Sequence, residues 1–257
     1  MQKIRYALSD CLVLSWREAK HLTRRLDTMV TTVVLPLVIL LLFVYLFGGA
    51  IGIALGGGNY LNYLLPGILL TIVGYCATTT ATSVSEDTTK GIVERFKTMP
   101  IARPAFMLGH IFGSVIRNIV AMALVIGVAL LMGYTSTAGF TEWLLAVVIL
   151  LCFAFALSAF AVVLGLLASG PDAASALGMP LMFLSYFTGA LVPIDTMPKP
   201  LQIFCTYQPL NAVWKAVSSL LSGNDGFHIA VSFLWCAGIA IVSLVLGGVL
   251  FARKVAK

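Results

Sequence analysis

Charge is what this sequence has least of. Only 10% of its 257 residues are charged and 60% are hydrophobic, whereas soluble domains carry about 25% charged residues. The mean hydropathy is +1.02. This composition argues against a soluble protein and predicts a membrane protein. The length leaves room for several spans and short loops, but not for a membrane domain together with a full soluble enzyme.

Several patterns of chemically active residues are also missing. No G-x-x-x-x-G-K-[ST] phosphate loop occurs, so we expect no ATP hydrolysis by this chain itself. The five cysteines are scattered without a C-x-x-C pair, and the histidines form no H-E-x-x-H pattern. We therefore expect no metal, cofactor or catalytic site. We interpret His21, His110 and His228, which lie near predicted span ends, as interfacial residues.

Long apolar runs dominate what is present. A bilayer core about 30 Å thick needs roughly 20 apolar residues in a helix. Six segments reach that length, at about 29–50, 62–84, 109–133, 143–167, 174–192 and 229–251. The pattern predicts an all-α membrane protein in which residues 29–257 form a six-span domain. No predicted span contains paired carboxylates, which argues against a proton-driven pump.

Arg117 is the one charged residue inside a predicted span. A long basic side chain in a membrane reaches back to the lipid headgroups or pairs with a carboxylate. We interpret Arg117 as an intramembrane anchor, with Glu86 or Asp87 as its candidate partner. A contact with a transported substrate is the alternative.

The basic residues fall in three places: the N-terminal segment, the loop 85–108 and the C-terminus. The loops 51–61 and 134–142 contain none. Lysine and arginine accumulate in cytoplasmic loops. We therefore predict a multi-pass protein of the cell membrane with both termini and the loop 85–108 in the cytoplasm.

Residues 1–28 are too charged for the apolar core of a signal peptide. Apolar residues recur at helical spacing from Ile4 to Leu26, and most of the basic residues lie on the opposite face. This pattern predicts an amphipathic helix in the cytoplasmic interface, attracted to anionic lipid. The predicted anchors to the lipid headgroups are Arg17, Lys20, Arg24 and Arg25.

The segment 193–226 contains several prolines and then an apolar run too short to cross a bilayer. We predict two short helices on the outer side, about 198–206 and 210–221, that pack on the bundle. An ordinary outer loop is the alternative. If these helices shield an export path, the candidate gate residues are Pro193, Asp195, Pro198, Pro209 and Trp214.

The run from residue 86 to residue 100 is the one long charge-dense stretch between predicted spans. Its apolar residues form a ridge for a partner's pocket, charged residues surround that ridge, and Pro100 ends the helix because proline lacks the backbone donor. We predict that this helix is held by a soluble partner; a solvated loop without a partner is the alternative. The candidate coupling residues are Glu86, Asp87, Lys90, Gly91, Ile92, Val93, Glu94, Arg95, Phe96, Met99 and Pro100.

The same run resembles the loop between the second and third spans of ABC-2 type transporter permeases. The matching residues are Glu86, Gly91-Ile92-Val93-Glu94-Arg95-Phe96 and Met99-Pro100-Ile101-Ala102-Arg103. A second region is similar to the daunorubicin-resistance type of drug-export permease. It comprises residues 180–185, 192–198 and 208–210. The resemblance covers essentially the whole chain.

The resemblance implies a half-transporter without catalytic activity of its own. Two copies would assemble with two copies of a separate ATPase, which binds ATP and Mg²⁺ and receives the 86–100 helix in a groove. The expected passenger is an apolar or amphipathic molecule of the drug or secondary-metabolite class; a lipid-linked saccharide or polysaccharide is an alternative. An ATP-independent channel or carrier is the alternative from another class. The other expected partner is membrane lipid, and no nucleic acid is expected.

Overall fold

The structure is a computed structural model of the 257-residue chain that describes residues 26–49, 59–91, 103–190, 194, 197–222 and 227–256. Regular structure in these ranges is helical, as predicted. The helices are α1 (Leu26–Leu42, continued by the π-helical turn Phe43–Phe47), α2 (Tyr60–Thr89), α3 (Arg103–Leu131), α4 (Phe140–Leu167), α5 (Pro171–Phe183), α6 (Lys199–Tyr207), α7 (Pro209–Leu221) and α8 (Phe227–Ala256). The predicted lipid anchors Arg17, Lys20, Arg24 and Arg25 lie outside the described residues.

Among the described residues, four helices are long and apolar enough to cross a membrane: Tyr60–Thr89, Phe106–Leu131, Phe140–Leu167 and His228–Ala252. They correspond to the second, third, fourth and sixth predicted spans. The first predicted span corresponds to α1 and its π-helical turn, where Thr32–Phe47 forms a shorter apolar helix. The total of six spans stays a prediction.

The fifth predicted span, 174–192, is not one continuous helix. The helix α5 ends at Phe183, and the chain continues in turns to Ala190. Within these turns the Tyr186 amide donates to the Phe183 carbonyl at 2.9 Å. Pro180 weakens the helix because it lacks a backbone donor. Side chains of neighbouring elements then hold the broken segment, as irregular backbone at membrane depth requires.

The helix α2 lies at the centre of the bundle. In α2, 83% of the most apolar stretch is buried inside the protein, whereas in α8 the corresponding share is 17%. Two glycines allow neighbouring backbones to approach closely. A Cβ at Gly74 would lie 2.7 Å from the Leu181 carbonyl oxygen on α5, and one at Gly165 on α4 would lie 2.5 Å from the Ala81 carbonyl oxygen. Small residues at such contacts are typical of membrane helices.

The two ends of the bundle are defined by contacts between distant residues. At one end Phe106 near the start of α3 stacks on Phe251 of α8, with 5.3 Å between ring centroids. At the other end the Ser136 hydroxyl donates to the Leu221 carbonyl of α7 at 2.9 Å. The start of α3 and the C-terminal part of α8 thus share one end, and α7 lies at the other. Which end faces the cytoplasm stays a prediction.

Candidate functional site

The first candidate site is the end of α2, where the predicted coupling segment begins. The Lys90 amide donates to the Glu86 carbonyl at 3.0 Å, and Gly91 has a φ of 70°. This left-handed residue ends the helix, as glycine commonly does. The predicted start of a separate helix at residue 86 is therefore wrong, since residues 86–89 form the last turn of α2. The local hydrogen bonding of the chain continues α2 beyond residue 84, the predicted end of the second span.

The side chains of this last turn point in different directions. Lys90 is 59% exposed and its Nζ lies 3.1 Å from Glu86 Oε2. An exposed pair of this kind contributes about 0.3–0.5 kcal/mol. This pair therefore contributes little to the stability of the fold. The remaining predicted coupling residues, Ile92, Val93, Glu94, Arg95, Phe96, Met99 and Pro100, lie outside the described residues.

Asp87 contacts His110 across the α2–α3 boundary. The distance from Asp87 Oδ2 to His110 Nε2 is 3.3 Å, and the His110 side chain is 4% exposed. The Phe106 ring meets the imidazole edge-on, with centroids 4.8 Å apart. The interpretation of His110 as an interfacial residue stays a prediction, and the structure adds that its side chain is packed between helices rather than exposed. Its position near a span end was visible in the sequence, but its carboxylate partner 23 residues earlier was not.

Arg117 lies inside the bundle and is 8% exposed. Its Nη2 donates to Thr80 Oγ1 of α2 at 2.8 Å. One turn earlier on α3, Ser114 accepts a hydrogen bond of 2.7 Å from the Ser158 hydroxyl of α4. These groups form a polar layer that joins α2, α3 and α4. Thr80 is not among the predicted site residues, although the threonine-rich end of α2 is a signal for it. The anchor role of Arg117 stays a prediction.

The broken segment after α5 is held at the other end of the bundle. The Tyr63 hydroxyl donates to the Gly189 carbonyl, and the Gln208 amide donates to the Phe187 carbonyl. The Trp214 ring meets Tyr63 edge-on, with centroids 5.8 Å apart. Because all these donors come from α2 and α7, the turns after α5 are held between those two helices. Trp214 is among the predicted gate residues, whereas Tyr63 and Gln208 are not.

The predicted pair of short helices corresponds to α6 and α7. Pro198 precedes α6 and Pro209 is the first residue of α7, where the missing backbone donor of proline costs nothing. Burial raises the pKa of the Cys205 thiol on α6. The helix α7 packs on the bundle through its apolar face, which comprises Leu210, Val213, Ala216, Val217, Leu220 and Leu221. The predicted gate residues Pro193 and Asp195 lie outside the described residues.

Three polar atoms in this region are buried without a hydrogen-bond partner among the described residues. They are Gln208 Oε1, Asn211 Nδ2 and Trp214 Nε1. The three residues follow one another at helical spacing of three along α7. Buried polar atoms without a partner cost about 1–3 kcal/mol each. Two of these residues also make the contacts described above, Gln208 with Phe187 and Trp214 with Tyr63.

An apolar pocket of about 440 Å³ lies between α3, α4 and α8. No charged residue lines it. Its lining residues are Phe112, Val115, Val148, Leu151, Cys152, Phe155, Phe233, Cys236, Ala237 and Ala240. This volume falls within the range of about 300–1,000 Å³ for small-molecule sites. Such a lining suits an apolar group and gives a polar one no partner.

Similarity to known proteins covers most of the chain. It is 31% identical to the daunorubicin resistance ABC transporter permease protein DrrB1 of Streptomyces coeruleorubidus, over 93% of this chain and 83% of that protein. It is 22% identical to the protein named "Probable doxorubicin resistance ABC transporter permease protein DrrC" in two strains of Mycobacterium tuberculosis, over 85% of this chain and 79% of that protein. Residues 54–249 match the family described as ABC-2 family transporter protein. The chain therefore belongs to the ABC-2 family of transporter proteins.

Proposed function

We propose that this chain is the membrane-spanning permease subunit of an ATP-driven exporter. Two copies work with two copies of a separate ATPase subunit in the cell membrane, with both chain termini in the cytoplasm. The observation that carries the proposal is the family match over residues 54–249, together with 31% identity to a drug-resistance permease over 93% of the chain. The relatives are named as permeases, which supports a subunit without catalytic activity.

The end of α2 supports the ATPase partner. The chain has no phosphate loop, so the energy of ATP must arrive from another subunit. Lys90 is exposed beside Gly91, and the charge-dense run follows directly. We infer that the run from residue 92 to residue 100 forms a short helix, which at 1.5 Å per residue would be about 14 Å long, so one groove on a partner is long enough to hold it. The charges around its apolar ridge then fix the register.

An apolar or amphipathic drug is the proposed passenger. The relatives' names refer to daunorubicin and doxorubicin resistance. The pocket between α3, α4 and α8 has no charged lining residue, which favours an apolar ligand over an ion. Arg117 is the one charged residue in a predicted span, and it is bonded to Thr80.

We propose that α7 and the broken segment after α5 form the outer gate. The contacts of Gln208 with Phe187 and of Trp214 with Tyr63 support this, because they join α7 and the residue before it to the broken segment and to α2. Hydrogen exchange tests the idea. Slow exchange in α7 that quickens during ATP turnover supports a gate. Fast exchange from residue 201 to residue 221 at all times contradicts it, since a mobile loop shields nothing.

The function is tested by expressing the chain in a drug-sensitive cell together with a candidate ABC ATPase from the same genome. We expect the ATPase to co-purify with the chain and the cells to export daunorubicin. The matched control is the same ATPase with the lysine of its phosphate loop changed to alanine, which should co-purify but not drive export. Export of the drug without the ATPase would indicate an ATP-independent carrier. Export of a lipid-linked saccharide but not of the drug would identify the other class of exporter.

A further inference from the structure

A second apolar cluster lies apart from the main core, at the end of the bundle where α2 ends and α3 begins. All four long helices contribute buried residues to it: Val84 from α2, three residues of α3 including Phe106, three residues of α4 including Val162, and Phe251 from α8. Close packing transmits displacement, because a dense cluster resists compression. Displacement of one of the four helices is therefore passed to the others through this cluster, which we call the four-helix junction.

A series of side-chain contacts connects this junction to the predicted coupling segment, residues 86–100. Asp87 lies four residues before Gly91, where α2 has ended. Its carboxylate lies 3.3 Å from the imidazole of His110 on α3. Phe106 then contacts His110 at 4.8 Å and Phe251 of α8 at 5.3 Å, measured between ring centroids. The contacts are continuous from α2 through α3 to α8.

The fourth helix is joined to α2 by backbone contact. A Cβ at Gly165 on α4 would lie 2.5 Å from the Ala81 carbonyl oxygen and 2.8 Å from Val84 Cβ. At this separation α2 has no room to shift towards α4 without displacing it. Movement of the end of α2 therefore reaches α4 through Gly165, and α3 and α8 through the Asp87–His110 contact.

We propose that the Asp87–His110 contact is a positioning element that transmits movement of the coupling segment into α3 and α8. The proposal rests on the proposed function, in which an ATPase moves that segment. Asp87 and His110 act on the passenger through the helices they position and do not contact it themselves. The two residues also differ from the neighbouring Glu86–Lys90 pair, because His110 is 4% exposed while Lys90 is 59% exposed. A buried contact keeps its geometry when the helices move, whereas solvent screens an exposed pair and weakens its attraction.

The experiment compares Asp87→Asn, His110→Asn and the exchanged double variant Asp87→His/His110→Asp in the complex of permease and ATPase. The quantity measured is drug transported per ATP hydrolysed. Variants between coupled sites change coupling by about 2- to 30-fold, and we expect a fall in this range for each single variant. The exchanged variant restores the contact between the carboxylate and the imidazole. It should recover most of the wild-type value of drug transported per ATP hydrolysed. The control is Asp172→Asn, an exposed carboxylate in the first turn of α5, which should leave the ratio unchanged.

A second measurement separates transmission from simple stability. In the wild type, addition of ATP should change hydrogen exchange both at the end of α2 and in the first turns of α3. In Asp87→Asn the change should persist in α2 and disappear in α3. A lowered Tm with an unchanged ratio would overturn the proposal and show a structural contact only. Failure of the wild type to bind the ATPase would instead overturn the proposed function, so the two failures are distinguishable.

Discussion

Replacement of Gly91 by valine should weaken the contact between permease and ATPase without unfolding the membrane domain. Gly91 has a φ of 70°, in the left-handed region that glycine enters freely. For a residue with a Cβ, this conformation costs about 1–2 kcal/mol. A β-branched residue such as valine lies at the upper end of that range. If the ATPase requires this backbone conformation, the affinity falls by about 5- to 30-fold.

Asparagine at the same position provides a graded comparison. It tolerates the left-handed region better than other non-glycine residues, so Gly91→Asn should retain most of the affinity. Gly127→Ala is the control, because a Cβ at Gly127 meets no atom within 4 Å and this glycine has no positive φ. Its binding and export should equal those of the wild type.

The assay is titration of the purified ATPase onto permease variants in lipid nanodiscs, together with drug export in cells and the Tm of each variant. We expect the affinity for the ATPase to fall in the order wild type, Gly91→Asn, Gly91→Val. The Tm values should be similar, because Gly91 lies beyond the long apolar stretch of α2. Equal affinity of Gly91→Val and wild type would refute the requirement for a left-handed residue. Equal losses for asparagine and valine would show that side-chain bulk, rather than backbone conformation, matters.

Three further outcomes are expected. Glu94→Lys should lower ATPase affinity, at a cost of about 1–3 kcal/mol if its partner is a partly buried basic residue; unchanged co-purification would remove Glu94 from the interface. In a cysteine-free background, Thr89→Cys should react with an impermeant thiol reagent only from the cytoplasmic side and Thr137→Cys only from outside, and reaction of both from one side would contradict the topology. Tyr63→Phe removes the hydroxyl that donates to the broken segment and should cost about 0.6–1.7 kcal/mol. This lowers the Tm by about 2–4 °C per kcal/mol, while Tyr207→Phe, at a residue that is 77% exposed, should not.

The helices that the sequence predicted best are those marked by a local signal, either the length of an apolar run or a proline at the start. The stretch around 143–167 is uniformly apolar and forms α4 within a few residues of the predicted bounds. The short helices around 198–221 are marked by prolines at their starts, and these marks place α6 and α7 closely. Bilayer thickness and proline chemistry act locally, so one sequence is enough to find them.

What the sequence could not reveal depends on residues that are distant along the chain. Gly178 and Pro180 indicated an interruption, but the length of the broken segment depends on donors from Tyr63 and Gln208. Lipid headgroups or a carboxylate are the candidate partners of Arg117 in the sequence, and its hydrogen bond to Thr80 adds a partner that hydropathy does not indicate. The position of His110 near a span end is visible in the sequence, but its contact with Asp87 depends on how α2 and α3 pack. Hydropathy specifies which segments enter the membrane, but the choice of partners follows from how the helices pack.

The most direct measurement of the central claim is transport in proteoliposomes that contain this permease and its ATPase, both purified. The account predicts that ATP drives daunorubicin across the bilayer only when both subunits are present. Transport should stop when the phosphate-loop lysine of the ATPase is changed to alanine. Equal movement of the drug with the permease alone, with or without ATP, would contradict the claim that this chain is the membrane half of an ATP-driven exporter.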